Sequence, residues 1–230
     1  MKKGDLKKQE ILDTAEQLFC KNGYENTSIQ DLIDILHSSK GSFYHHFVSK
    51  EALLEAICAR RAKESYESTA LLIRDEETAL RNLNRLLSGL FPFLDEKLSF
   101  LLMLLPVFQL PEGKTLKTGY CDALAKQYMD AVIQQLKYGS QSNELICSNP
   151  DMTADLMLTI VNRLWTRICD LILLSEEQGI KADYSEMLQL TDCCRLTIER
   201  MVCMPYGSLD LVNMSTLQAV VERIHSHWPG

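Results

Sequence analysis

Residues 35–50 contain no acid, yet they hold Lys40, Lys50 and three of the chain's five histidines, His37, His45 and His46. Ser42 and Tyr44 lie among them. Cations and small hydroxyls without a neighbouring carboxylate attract phosphate and can hydrogen-bond the edge of a base. Histidine also raises the question of metal. His45 and His46 are adjacent, so on a helix they point about 100° apart and do not chelate together. His225 and His227 stand near the C-terminus beside Trp228, and no metal is expected. The eight cysteines, at 20, 58, 121, 147, 169, 193, 194 and 203, form no C-x-x-C pair, which argues against a zinc framework. Cys193-Cys194 sit in an apolar helical stretch and read as packing groups, because buried thiols are mostly inert. No G-x-S-x-G, H-E-x-x-H, P-loop or dinucleotide fingerprint occurs, so no catalytic residue and no cofactor is expected.

The acid-free stretch needs elements to position it. Ile11, Leu12, Ala15, Leu18 and Phe19 recur at helical spacing within 7–21, and Asn22-Gly23 supplies a stop, since glycine tolerates the left-handed conformation. A second helix starts at Thr27, where Thr27 with Gln30 fits a capping box. Ile29, Leu32, Ile33 and Leu36 give its buried face. His37-Ser38-Ser39 breaks it, and Ser39 caps a short third helix, 40–47, with Phe43 and Phe47 inward. Ser49 caps a fourth helix running towards Leu72. Helix, three-residue turn and short helix is the geometry of a helix-turn-helix, in which the second helix leads with its N-terminal residues. Its outer face would show Lys40, Ser42, Tyr44, His45 and His46. By pattern alone such a shape is also a plain surface helix in a three-helix bundle.

The residues carry a closer likeness. Residues 7–54 resemble the N-terminal domain of TetR-family transcriptional regulators. The likeness rests on Ile11-Leu12, Ala15, Leu18-Phe19, Gly23-Tyr24 and Thr27-Ser28. It closes with the run Lys40-Gly41-Ser42-Phe43-Tyr44-His45-His46-Phe47-Val48-Ser49-Lys50-Glu51-Ala52-Leu53. The resemblance implies base contacts from Lys40, Gly41, Tyr44 and His45. It implies phosphate contacts from Thr27, Ser28, Ser42, His46 and Lys50. Two departures stand out. His37-Ser38 replaces the Gly-Val that the family usually has in the turn, and Ile33 and Leu36 replace residues that are usually small.

The whole composition agrees with an all-α chain. Ten Gly and six Pro in 230 residues leave long uninterrupted elements, and 46% apolar residues suffice for a sizeable core. Further helices are expected near 76–91, 95–105, 115–138, 151–178, 184–204 and 215–227. Gly113, Gly139 to Pro150, Gly179 and Pro205-Tyr206-Gly207 read as breaks. Residues 1–50 hold seven Lys and seven acids, so the net charge of −7 lies entirely in the rest, and a uniformly basic nucleic-acid coat is excluded. The apolar run 98–110, interrupted by Pro106, is too short for a membrane span, which takes roughly 18 residues or more. No apolar signal segment opens the chain, so a cytoplasmic protein with reduced thiols and no membrane partner is expected.

The expected organisation is a helix-turn-helix domain at 1–48 and a larger helical domain at 49–230. In the second, the Leu/Met/Phe-rich middle offers Phe100, Met103, Phe108, Tyr128, Met129 and Trp165. These read either as a packed core or, as the resemblance implies, as a small-molecule effector pocket. The wide apolar faces of 152–178 and 184–204, with Leu156, Ile160, Leu164, Ile168 and Leu196, suit a core or a four-helix homodimer interface. The resemblance favours the homodimer, with double-stranded operator DNA as partner. The alternative is a helical ligand-binding or thiol-active protein whose N-terminal bundle is only structural.

Overall fold

The computed structural model describes residues 3–93, 95–180 and 182–227. Trp228 and the His227 side chain lie outside them. Among the described residues every regular element is a helix: α1 (Lys3–Asn22), α2 (Ile29–Ile35), α3 (Lys40–His46), α4 (Lys50–Ala70), α5 (Ala79–Gly89), α6 (Asp95–Phe108), α7 (Gly113–Gln141), α8 (Pro150–Gln178), α9 (Tyr184–Met201) and α10 (Met214–His227). The fold is all-α, as expected. No helix among the described residues is long and apolar enough to cross a membrane.

The chain divides into two compact units. The first joins Met1–Arg61 to Ser99–Tyr120; the second joins Ala62–Leu98 to Cys121–Gly230. Helices α4, α6 and α7 therefore contribute residues to both. Ile11, Ala15 and Phe19 of α1, Leu32 of α2, Phe43 of α3 and Leu53 and Ile57 of α4 are buried in the first unit. In the second, α8 packs against α9 and α5, around Trp165, Tyr128, Leu83 and Leu86.

One expected helix end and two expected breaks differ. Pro106 lies inside α6, in its last turn; having no N–H, it gives no helical bond to the Leu102 carbonyl, and the helix ends two residues later. Tightened bonds from Gln109 to Pro106 and from Leu110 to Val107 close that end. Gly113 opens α7 instead of breaking the chain. Gly139 lies within α7, and a methyl placed on it would meet the Ala79 Cβ and Leu145 Cδ2 at 2.8 Å. This glycine permits close packing of α7 against the start of α5.

Cys193 corrects another expectation. It is exposed on α9, while Cys194 is partly covered, so the pair is not a buried packing element. The reason is the helix's own geometry, since adjacent residues leave in different directions and Cys193 takes the solvent side.

Candidate nucleic-acid interface

The local sequence explains how the α2–α3 segment is built. Gly23 ends α1 at φ +86. The Thr27 hydroxyl then donates to the Gly23 carbonyl at 2.9 Å, and Thr27 is only 1% exposed. The cap of α2 is consequently one residue later than expected. Ser28, extended at φ −91 and ψ 160, is the N-cap, and its Oγ accepts the Asp31 N–H at 3.1 Å. The Asp31 carboxylate returns the bond to the Ser28 N–H at 2.7 Å. Thr27 cannot serve as the cap because its hydroxyl is turned inward. These bonds from Ser28 hold the exposed Asp31 carboxyl below its ordinary pKa.

The turn after α2 is closed by two reverse bonds, His37 N–H to the Asp34 carbonyl at 3.2 Å and Ser38 N–H to the Ile33 carbonyl at 3.1 Å. That is a Schellman motif, which requires a left-handed residue at its C′ position. His37 occupies it with φ +46. Ser39 follows as the expected cap, its Oγ accepting from the Ser42 N–H at 3.1 Å. Phe43 and Phe47 then turn inward, and Ser49 caps α4 through the Ala52 N–H at 3.1 Å.

With Phe43 and Phe47 buried, the opposite face of α3 is solvent-facing. Lys40, Gly41 and His45 are exposed, Tyr44 is 49% exposed, and Ser42 and His46 are half-covered. The Tyr44 ring stands edge-on to Phe43 at 5.4 Å, which fixes its direction. The His45 and His46 rings meet edge to face at 5.0 Å. A methyl placed on Gly41 would meet nothing closer than the Ser39 Oγ at 3.9 Å, and Gly41 is not in a left-handed conformation. The fold therefore gives no reason for a glycine there.

Lys50 is partly buried. Its Nζ lies 4.1 Å from the centre of the Tyr24 ring and donates to the Glu25 carbonyl at 3.5 Å. Burial lowers its pKa, against the opposing pull of Glu51, Glu25 and Asp31. Burial likewise pushes the Tyr24 phenol above its ordinary value, and its hydroxyl donates to Glu51 Oε1 at 3.3 Å. Further along α4, Arg60 and Arg61 both bind the buried Glu16 of α1, and Arg60 also reaches Asp13. Three carboxyl and guanidinium contacts thus fix α1 on α4.

The other expected sites are distributed differently. Phe100, Met103 and Phe108 are buried in the first unit, Phe100 against Tyr120 at 5.9 Å and beside the Arg61 guanidinium at 5.5 Å. Tyr128 and Trp165 are wholly buried in the second, with Met129 half-covered. The Tyr128 hydroxyl reaches the Ser65 and Gly89 carbonyls at 2.8 and 3.0 Å, and the Trp165 N–H donates to Asn162 at 2.9 Å. None of the six lines a hollow of about 470 Å³ in the second unit, whose lining residues include Thr69, Arg85, Phe93, Lys97 and Leu211. Sequence reasoning missed that hollow because its wall comes from an irregular loop, 210–213, which carries no periodic signal. Of the expected interface residues, Leu156 is 46% exposed and Ile160 and Leu196 are half-covered. Leu164 and Ile168 are buried inside the second unit itself.

Comparison with known proteins agrees with this geometry. A family model for bacterial regulatory proteins of the tetR family matches residues 11–57. An uncharacterized HTH-type transcriptional regulator in the lacX 3′ region of Lactococcus lactis subsp. lactis is 36% identical over 86 residues, covering 36% of this chain and 43% of that protein. The HTH-type regulator YerO of Bacillus subtilis, also uncharacterized, is 48% identical over 52 residues, 23% of this chain and 18% of its own. The chain thus spans less than half the length of these relatives. A TetR-family regulator from Pectobacterium atrosepticum has the same fold at a TM-score of 0.61 and 16% identity, covering 89% of this chain and all of the other. The matched residues 11–57 comprise the later part of α1, all of α2 and α3 and the first turns of α4, so the likeness to the tetR family of bacterial regulatory proteins lies in this N-terminal segment.

Proposed function

We propose that this chain is a sequence-specific DNA-binding transcriptional regulator, a homodimer that represses until a small apolar or amphipathic effector releases it from its operator. The observation that carries this reading is the outer face of α3. It holds cations, hydroxyls and an aromatic phenol with no acid, and a glycine that the fold itself does not need. A missing side chain at Gly41 lets a partner's surface come close, which is what a helix in a major groove requires. Lys40, Gly41, Tyr44 and His45 are the base-reading group. Ser28, Ser42, His46 and Lys50 are the phosphate group. Thr27, being buried, supports the turn from beneath.

The homodimer reading rests on apolar side chains that the chain leaves exposed on α8 and α9, Met152, Leu156 and Leu188, continued by the half-covered Ile160 and Leu196. The effector reading rests on the hollow in the second unit. Ser68 and Thr69 of α4 line it, and the same helix carries Lys50 and Leu53 in the first unit. A ligand that prefers one position of α4 must alter DNA affinity, and DNA must alter ligand affinity by the same factor.

Selection from random duplexes tests the reading. A two-fold dimer should recover inverted repeats whose half-sites are about 10–10.5 bp apart, or a multiple. Asymmetric sites would refute the dimer. No enrichment at all would leave a ligand-binding protein whose N-terminal bundle is only structural.

A further inference from the structure

The turn between α2 and α3 carries one side chain that the fold does not use. Ser39 spends its Oγ on the Ser42 N–H at 3.1 Å, and the Ser38 hydroxyl donates to the Ser39 carbonyl at 3.5 Å. His37 is tied in through its backbone, whose N–H donates to the Asp34 carbonyl at 3.2 Å. The residue is exposed, and its imidazole makes no hydrogen bond, ion pair or ring contact with any described residue.

That side chain also comes at a cost. At φ +46 the backbone of His37 is left-handed, a conformation that glycine adopts freely and a residue with a Cβ does not. Asn143 and Cys203 share the conformation, but both lie in the second unit. His37 stands three residues before Lys40, where the proposed base-reading group begins. Strained positions cluster where side chains meet ligands. An imidazole that is costly to place and idle within the fold therefore has its use outside it.

The place of the turn says what it would meet. A helix that leads into the major groove with its N-terminal residues brings the residues just before it to the rim, where the phosphates stand. Imidazole presents an N–H donor in either tautomer, and a phosphate oxygen accepts it. No carboxylate competes for that donor. Residues 35–50 contain no acid, and Asp34, the nearest acid along α2, accepts from the Gln30 side chain at 2.7 Å. On the α3 side the next charged residue is the exposed Lys40.

We propose that the His37 imidazole donates a hydrogen bond to a phosphate of the operator backbone at the rim of the groove that α3 enters. The contact rests on the DNA-binding reading and adds to it a residue outside α3. It sets the register of the protein on the duplex and reads no base.

Equilibrium binding of the full chain to its selected duplex and to a scrambled one tests the contact. His37→Gly should weaken both by about tenfold, since a hydrogen bond to a charged group is lost from each. Duplexes carrying an uncharged methylphosphonate at each backbone position in turn give the second readout. At one position per half-site the unsubstituted protein should lose about as much as His37→Gly costs, and the His37→Gly protein should lose nothing further. If His37→Gly fails to fold by circular dichroism, His37→Asn takes its place, because Asn tolerates the left-handed backbone and its side chain is shorter. Undiminished affinity in a folded variant would overturn the contact. So would a loss confined to the selected duplex, which is the mark of base reading. A loss that no methylphosphonate position removes would also overturn it and make His37 a support of the turn. In each of these cases the DNA-binding reading stands, whereas a chain that selects no duplex would overturn both.

Discussion

Lys50 and Tyr44 occupy different surroundings and should fail differently. Lys50 rests on Tyr24, apart from the exposed face of α3, and in the role proposed for it its charge would serve any phosphate alike. Lys50→Ala should therefore weaken binding to all duplexes alike and reduce the salt slope by about one unit. Tyr44 stands half-exposed on α3, so Tyr44→Ala should relax sequence preference. Affinities measured across salt on the selected site and on a scrambled one check both, and equal loss of specificity would refute the assignment. Gly41 gives a sharper contrast. Nothing in the fold opposes a methyl there, and Gly in a helix costs about 0.5–1 kcal/mol relative to Ala. Gly41→Ala should raise stability by roughly that amount in urea denaturation while weakening operator binding. Some residue-scale features were legible from sequence, such as the Ser39 cap and inward Phe43. The shift of the α2 cap from Thr27 to Ser28 was not, because both residues can cap and only the buried Thr27 hydroxyl separates them.

At the scale of elements, the α2–α3 turn is held by a Schellman motif built on a histidine. A non-glycine residue in the left-handed region costs about 1–2 kcal/mol. His37→Gly should recover part of that, raising stability by about 0.5–1 kcal/mol after the extra entropy of an unfolded glycine is subtracted. Thermal unfolding followed by circular dichroism measures it, and a loss of stability would show that the His37 side chain contributes more than its backbone costs. The longer helices were readable because an apolar stripe recurs over several turns, and the seven-residue α2 and α3 because caps and breaks flank them. Their ends were less so. Gly139 reads as a break, since a sequence does not reveal that Ala79 and Leu145 pack so close that a methyl on it would meet them at 2.8 Å. Pro106 ends the expected helix early, although one more turn tolerates it.

The assembly belongs to the largest scale. Leu164 and Ile168, which a sequence assigns equally to a core or an interface, are buried within one chain. A charge at Leu164 would unfold the second unit, whatever its oligomeric state. Leu156 is the informative position, exposed on α8. Leu156→Glu should yield folded monomers by light scattering, because a charge buried at an interface without a partner costs several kcal/mol. A folded dimer of normal mass would move the interface elsewhere. The division into units was the least legible feature. Nothing in the composition of 99–120 signals that it packs with the first 61 residues, since that pairing is set by contacts far apart in sequence.

That discontinuity governs how the protein can be recombined. An N-terminal segment cut at residue 61 and fused to another domain would leave behind Phe100, which lies beside Arg61, and Val107 and Leu116, which share a small hollow with Tyr24 and Leu54. Such a chimera would expose apolar surface on α4 that the native chain covers, and would aggregate or bind DNA poorly. A graft that also carries Ser99–Tyr120 keeps its own lid, at the cost of crossing α6 and α7 in mid-helix. Modular exchange in this protein is therefore a three-junction problem, with cuts near 61, 98 and 120.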